Sequence, residues 1–150
     1  MKINSLLTAG AVRHPEKEAL ITAERTWTYQ QLHDDAARTA YLLKSQGADQ
    51  GSTIAAMTYN EPEFVITAFA TWMLGAIFVP INHKFAVPEA EYMLSHCGAT
   101  HGIVSPELHN TTTQAAPQVQ WITTDPNTGL LPQIAGQKLF KETHEDANYA

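Results

Sequence analysis

The stretch Thr53 to Asn82, TIAAMTYNEPEFVITAFATWMLGAIFVPIN, limits the possible folds more than any other part of the chain. It reads as strand, turn, helix, turn, strand. Thr53 to Thr58 is a short apolar run, long enough for a strand and too short for a stable helix. Asn60 is the expected helix N-cap, with Glu63 completing a capping box and Tyr59 and Phe64 forming a hydrophobic staple around it. Glu61 and Glu63 bring negative charge to the positive end of the helix dipole. The helix, Pro62 to Leu74, carries Phe64, Val65, Ile66, Phe69, Trp72, Met73 and Leu74, which cannot share one stripe, so burial on every side is expected. Gly75 suits the helix end. Ile77 to Ile81 reads as the second strand, with Pro80 marking its end or an edge position. A buried helix between two apolar strands is a βαβ crossover, the unit of a parallel sheet. Phe64 to Ile81 has no charged residue, which raises a membrane span as the competing reading. Gly75 and Pro80 interrupt it and Thr67 and Thr71 dilute it, so no transmembrane segment is expected.

The flanking sequence supports one α/β domain. A chain of 150 residues, 44% hydrophobic and 16% charged, can bury most of its apolar surface. Ile3, Leu6, Leu7 and Ala11 fall near helical spacing, and His14-Pro15 ends that segment. Ala19 to Thr22 and Thr26 to Tyr29 are expected to pair as a hairpin. Thr28 and Gln31 fit a capping box, and Trp27 with Leu32 fits a staple. Leu32, Ala36, Ala40 and Leu43 make the buried stripe of the helix that follows, and Gly47 closes it. Asp34, Asp35, Arg38 and Lys44 lie largely off that stripe. After Asn82, Pro88 suits a first helical turn, Ala90, Met93, Leu94 and Cys97 keep helical spacing, and Gly98 is the stop. His101 to Ser105 and Val119 to Thr123 are strand candidates, with a short helix over Pro106 to Gln114. Beyond Thr124 the chain reads as loop.

Charge and motifs exclude more than they assign. A net charge of −6 argues against nucleic acid as a partner, because phosphate-backbone binding needs a basic face. One cysteine excludes an internal disulfide framework and fits a reducing, cytoplasmic setting; the N-terminus makes a poor signal peptide. The sequence has no Gly-rich phosphate loop of either common type, no GxSxG elbow and no CxxC. The turn TYNEPEF holds no glycine, so a dinucleotide pyrophosphate has no usual approach to that helix start. Cys97, His96 and His101 are the one cluster with metal-like residue types, but Cys97 falls on the buried stripe, His96 faces elsewhere and no fourth ligand is in view. Asp34-Asp35 reads as a solvated face. Asn110-Thr111-Thr112 matches a glycosylation sequon, incidental without a secretion signal. No catalytic, cofactor-binding or metal-ligating residue is therefore expected within the chain.

Two motifs resemble the AMP-forming acyl-CoA synthetases of the adenylate-forming ligase superfamily. HPEKEALI followed by ERTWTYQQL resembles their opening, and Thr28-Tyr29-Gln30-Gln31-Leu32 is similar to their first core motif, T-Y-x-E-L, with Gln31 in place of the usual glutamate. Met73 to Asn82, MLGAIFVPIN, resembles the second core motif. NEPEF between them, and Val87 to Gly98 followed by His101 to Val104, keep the family's order. The resemblance covers about Pro15 to Ser105 and continues more loosely beyond.

This resemblance implies that residues 1–150 are the N-terminal part of an AMP-binding domain and end before its phosphate-binding loop. It implies βαβ units of a parallel sheet flanked by helices, and matched motifs that are mainly structural. For the full enzyme it implies ATP, Mg2+ and CoA: a small carboxylic acid attacks the α-phosphate to give an acyl-adenylate, and the CoA thiolate then forms the thioester. The pyrophosphate-holding loop, the ribose-binding aspartate and the C-terminal lysine of the family lie outside these residues. Residues 1–150 alone are therefore expected to be inactive and to bind none of these cofactors, with the remainder of the ligase chain as partner. Fatty or aromatic acids are the expected substrates, and a carrier protein is an alternative acceptor to CoA. The alternative reading is a standalone, non-catalytic α/β module that binds a protein partner. An exposed sheet edge also raises self-association.

Overall fold

The computed structural model describes residues 2–141. Helix α1 (Asn4–Arg13) leads into an antiparallel hairpin of β1 (Glu18–Ile21) and β2 (Thr26–Thr28). Helix α2 (Tyr29–Ser45) follows, then β3 (Thr53–Met57), α3 (Pro62–Met73), β4 (Ile77–Pro80), α4 (Val87–Cys97), β5 (His101–Val104), α5 (His109–Ala115), β6 (Gln120–Thr123) and α6 (Leu130–Ile134). A single 3-10 turn, Pro106–Leu108, precedes α5. Strands β3 to β6 form one all-parallel sheet in the order β4-β3-β5-β6. The fold is thus the mixed α/β, parallel-sheet class that the central stretch implies.

The period of two along β3 divides the interior into two layers. Ile54 and Ala56 face a core shared with Leu7, Trp27, Leu32, Leu43, Ile66 and Leu130. Ala55 and Met57 face a second core built on Ala90, Leu94, Val104 and Val119. Helices α1, α2, α3 and α6 therefore cover one face, and α4 and α5 cover the other. All five residues of β3 are buried, as a central strand of a parallel sheet requires.

Local signals upstream hold. Gln31 N donates to Thr28 Oγ1 over 3.2 Å and Thr28 N donates to Gln31 Oε1 over 2.9 Å, so the capping box of α2 is complete. Trp27 and Leu32 are buried together. Gly75 and Gly98 follow α3 and α4 with φ of +71° and +68°, the left-handed conformation that glycine adopts without strain.

Three expectations are corrected. The N-cap of α3 is Glu61, not Asn60, and no side chain caps it. The cause is Pro62: a residue before proline is pushed out of the helical region, and Glu61 sits at φ −124°, ψ 151°. Helix α3 is also not buried on all sides. Ile66, Thr67, Ala70, Thr71 and Met73 are buried, while Phe64, Val65, Phe69 and Trp72 are half-buried. Small residues let α3 lie close to α2 and the sheet, and the bulky ones collect along one flank. There Phe64 and Trp72 meet Phe78 of β4 edge to face, with centroids 5.2 and 6.1 Å apart. Finally, the segment beyond Thr124 is not all loop. Leu130 and Ile134 are 0% and 2% exposed, and anchor α6 against the first core. The loop reading beyond Thr124 also runs over residues 142–150, which lie outside the described residues.

Strand β4 is an edge strand. Ile77 N and Ile81 N donate inward to Ser52 O and Ala56 O, each over 2.8 Å. In a parallel ladder alternate residues face the same neighbour. Phe78 and Pro80 therefore turn their backbone groups outward, and Pro80 has no N–H to offer.

Candidate functional site

Open parallel sheets bind ligands outside the carboxyl ends of their strands, where the crossovers diverge. Here α3 carries the chain from β3 to β4 on one side, and α4 carries it back past β3 to β5. The divergence lies between β3 and β5, so the candidate site is the rim formed by Thr58 to Glu61 and Ser105. Ser105 is fully buried; its Oγ accepts from Tyr59 N over 3.0 Å and donates to Glu61 Oε1 over 2.9 Å. This ties the start of α3 to the end of β5. Glu61 Oε2 and Thr58 Oγ1 are buried without a hydrogen-bond partner. On the β4 side, Tyr59 meets the His83 ring edge-on, with centroids 5.0 Å apart. On the β6 side, Asp125 Oδ1 accepts from Asn127 N and Thr128 N over 2.8 and 3.0 Å.

The rim at α3 is acidic. Burial pushes the Glu63 carboxyl above its ordinary range, and the neighbouring Glu61 charge adds to the shift while Glu63's own amide opposes it. The two backbone amides hold the Asp125 carboxyl below its ordinary range. A helix start flanked by two carboxylates and opened by proline repels phosphate. No group of three or more His, Cys, Asp or Glu that could hold a metal ion occurs among the described residues. The start of α3 thus does not suit the phosphates of Mg·ATP, and no step of nucleotide chemistry is assigned to it.

The metal-like cluster does not assemble. His96 is exposed and stacks on Tyr92, with centroids 5.8 Å apart. Cys97 is half-buried, its Sγ donating to Leu94 O over 3.6 Å. His101 is buried on β5, with Nε2 3.0 Å from Gln46 O and Nδ1 2.8 Å from Thr100 Oγ1. Asn110 is exposed near the start of α5. The acidic pair needs a correction. Asp34 accepts from Gln30 over 2.9 Å at the surface, but Asp35 is a hub, accepting from Trp27 Nε1 over 2.9 Å and Arg38 over 3.1 Å. Adjacent helical residues diverge, and only Asp35 reaches back to the hairpin. Sequence reasoning missed the Glu61–Ser105 pair, whose members lie 44 positions apart with no local pattern linking them.

The comparisons with known proteins agree with this architecture. The AMP-binding enzyme family matches residues 7–148, and the chain belongs to that family. It is 35% identical over 108 residues to the indoleacetate–CoA ligase of Aromatoleum aromaticum, covering 72% of this chain and 21% of that one. The N-terminal domain of FACL13 from Mycobacterium tuberculosis superposes with a TM-score of 0.86 at 26% identity, covering 97% of this chain and 38% of that one. The benzoate CoA ligase of Burkholderia xenovorans LB400 shares the fold, with a TM-score of 0.87 at 21% identity over 96% of this chain and 30% of that one. The chain spans about a fifth of the length of the curated relatives it matches.

Proposed function

We propose that residues 1–150 are the N-terminal part of the adenylate-forming domain of an acyl-CoA ligase. The observation that carries this is the superposition of the whole described fold on the N-terminal domain of FACL13. The full enzyme would join a small carboxylic acid to CoA at the expense of ATP, with Mg2+ as the metal, in the cytoplasm. Aromatic acids are the first to test, because indoleacetate and benzoate stand in the names of two of the similar proteins. Fatty acids and a carrier-protein acceptor belong in the same panel. No helix among the described residues is long and apolar enough to cross a membrane.

Residues 1–150 alone would not turn over, because the acidic start of α3 cannot cradle phosphate. ATP–pyrophosphate exchange across aromatic and fatty acids tests this in two arms. The polypeptide that continues the family match should exchange, and residues 1–150 should stay at the blank. Exchange by residues 1–150 would refute the division of labour; none by the longer chain, with any acid, would refute the ligase reading.

The second reading, a partner-binding module, is favoured by the aromatic flank of α3 and β4. Phe64, Phe69, Trp72 and Phe78 are half-buried there, and Ile77 is 55% exposed. The remainder of the ligase chain is the first candidate to cover it. Self-association would proceed through these side chains more than through the ladder, since Pro80 removes a donor from the edge.

A further inference from the structure

Pro88, Glu91, Tyr92, Ser95 and His96 recur at i, i+3, i+4, i+7 and i+8 along α4, so they share one face of that helix. All five are exposed, and they lie opposite Ala90 and Leu94, which face the second core. We propose that this stripe is the contact between two copies of the protein, related by a two-fold axis that runs their α4 helices antiparallel.

Three observations carry the proposal. The first is an anchor beside a groove. Tyr92 is 68% exposed, and the stripe lines an open groove of about 430 Å³ next to it. A tyrosine is the kind of large amphipathic side chain that anchors protein interfaces. A two-fold axis through the groove seats Tyr92 of each copy against Ser95 of the other, the reciprocal pairing that such symmetry demands. The second is preorganisation. The Tyr92 and His96 rings are stacked, with centroids 5.8 Å apart and planes at 11°, so the anchor is restrained before association and loses less entropy on it. The third is acid–base complementarity. Glu91 is the acid of the stripe, His96 is its base, and α4 holds no Lys or Arg. The pairing that brings Tyr92 to Ser95 also brings Glu91 of each copy to His96 of the other. The stack holds the imidazole by its face and leaves an N–H at its edge to donate to the carboxylate. A parallel arrangement sets Glu91 against Glu91 and is repelled. A partner of one sign satisfies one of these two groups and opposes the other, whereas a second copy satisfies both. Helix α4 covers the opposite face of the sheet from α3, so a chain seated on the aromatic flank of α3 and β4 leaves the stripe open.

A contact one helix long is smaller than a standard stable interface, so a reversible dimer with a Kd of about 10–1,000 μM is expected. The test is sedimentation equilibrium of the intact polypeptide that carries residues 1–150, over that range of concentration. Tyr92→Glu should weaken dimerisation about tenfold or more, as loss of an interface anchor does. Glu91→Lys and His96→Glu should each weaken it, because each sets like charges across the axis. The double variant should recover most of that loss, since the pair is re-formed with its signs exchanged. All three positions are exposed, so the variants keep the fold, which circular dichroism checks. A monomer throughout the range would overturn the proposal. So would wild-type association in Tyr92→Glu, which moves the contact to the aromatic flank, or a double variant that dimerises no more tightly than the single ones.

Discussion

Trp27 donates its indole N–H to Asp35 Oδ2 over 2.9 Å, joining the hairpin to the first turns of α2. Trp27 is 1% exposed, so this N–H has no recourse to water. The Arg25 guanidinium lies 4.1 Å above the Trp27 ring and 3.6 Å from Asp35 Oδ2. Asp35→Ala should cost about 1–3 kcal/mol, the penalty of a buried donor left unpaired. Urea unfolding reads this directly. In the Trp27→Phe background the same substitution should cost much less, because no indole N–H remains to strand.

Gly102 of β5 leaves room for the Trp121 ring on β6. A Cβ at Gly102 would overlap that ring and come within 2.9 Å of Ala55 O on β3. Gly102→Ala should therefore destabilise by about 1–3 kcal/mol through overpacking. Adding Trp121→Leu should recover part of that loss, and a double-mutant cycle by chemical denaturation checks the coupling.

Glu63 gives a pH dependence of defined sign. Its folded pKa is raised by burial, so the native state binds this proton more tightly than the unfolded chain does. Its contribution is fully present below the unfolded value and is lost as pH rises through the folded value. Glu63→Gln should gain stability relative to the parent as pH is raised from about 4 to about 7, spanning the ordinary carboxyl range. Unfolding midpoints of the two proteins that run parallel across that interval would refute the assignment.

Asp125 carries the opposite sign. Amide hydrogen bonds from Asn127 and Thr128 depress its pKa. Its contribution is present above the unfolded value and is lost as pH falls through the folded value. Asp125→Asn should narrow the difference between neutral and acid stability, read from thermal unfolding at each pH.

Pro80→Val should restore an outward N–H to the edge of β4. Unpaired donors on an exposed strand template pairing with another chain. The variant should associate at lower concentration than the parent in sedimentation velocity.

Signals carried within a few residues were legible before the structure. The Thr28–Gln31 box, the strand–helix–strand order around α3 and the glycines ending α3 and α4 each depend on neighbours in the chain. Two misreadings had a local cause as well: Pro62 moved the cap from Asn60 to Glu61, and the apolar content of α3 concealed which side faces the interior. Thr67 and Thr71 are fully buried while Phe69 and Trp72 are not, because close packing against α2 selects for size over hydrophobicity. The Glu61–Ser105 pair, the Trp27–Asp35 bond and the docking of α6 could not be read, since each depends on which elements the fold brings together. The two core motifs made the family legible; the candidate site was not, because Tyr59, Glu61 and Ser105 belong to no common pattern.

Strand β3 forms the floor of both cores at once, with Ile54 and Ala56 on one side and Ala55 and Met57 on the other. Neither layer of helices can lift away without uncovering it. Amide protons along Ile54 to Met57 should therefore exchange with solvent only when the whole molecule opens, as the slowest set in the chain. A lesion in this five-residue segment would be felt as lost cooperativity throughout the fold rather than as local fraying.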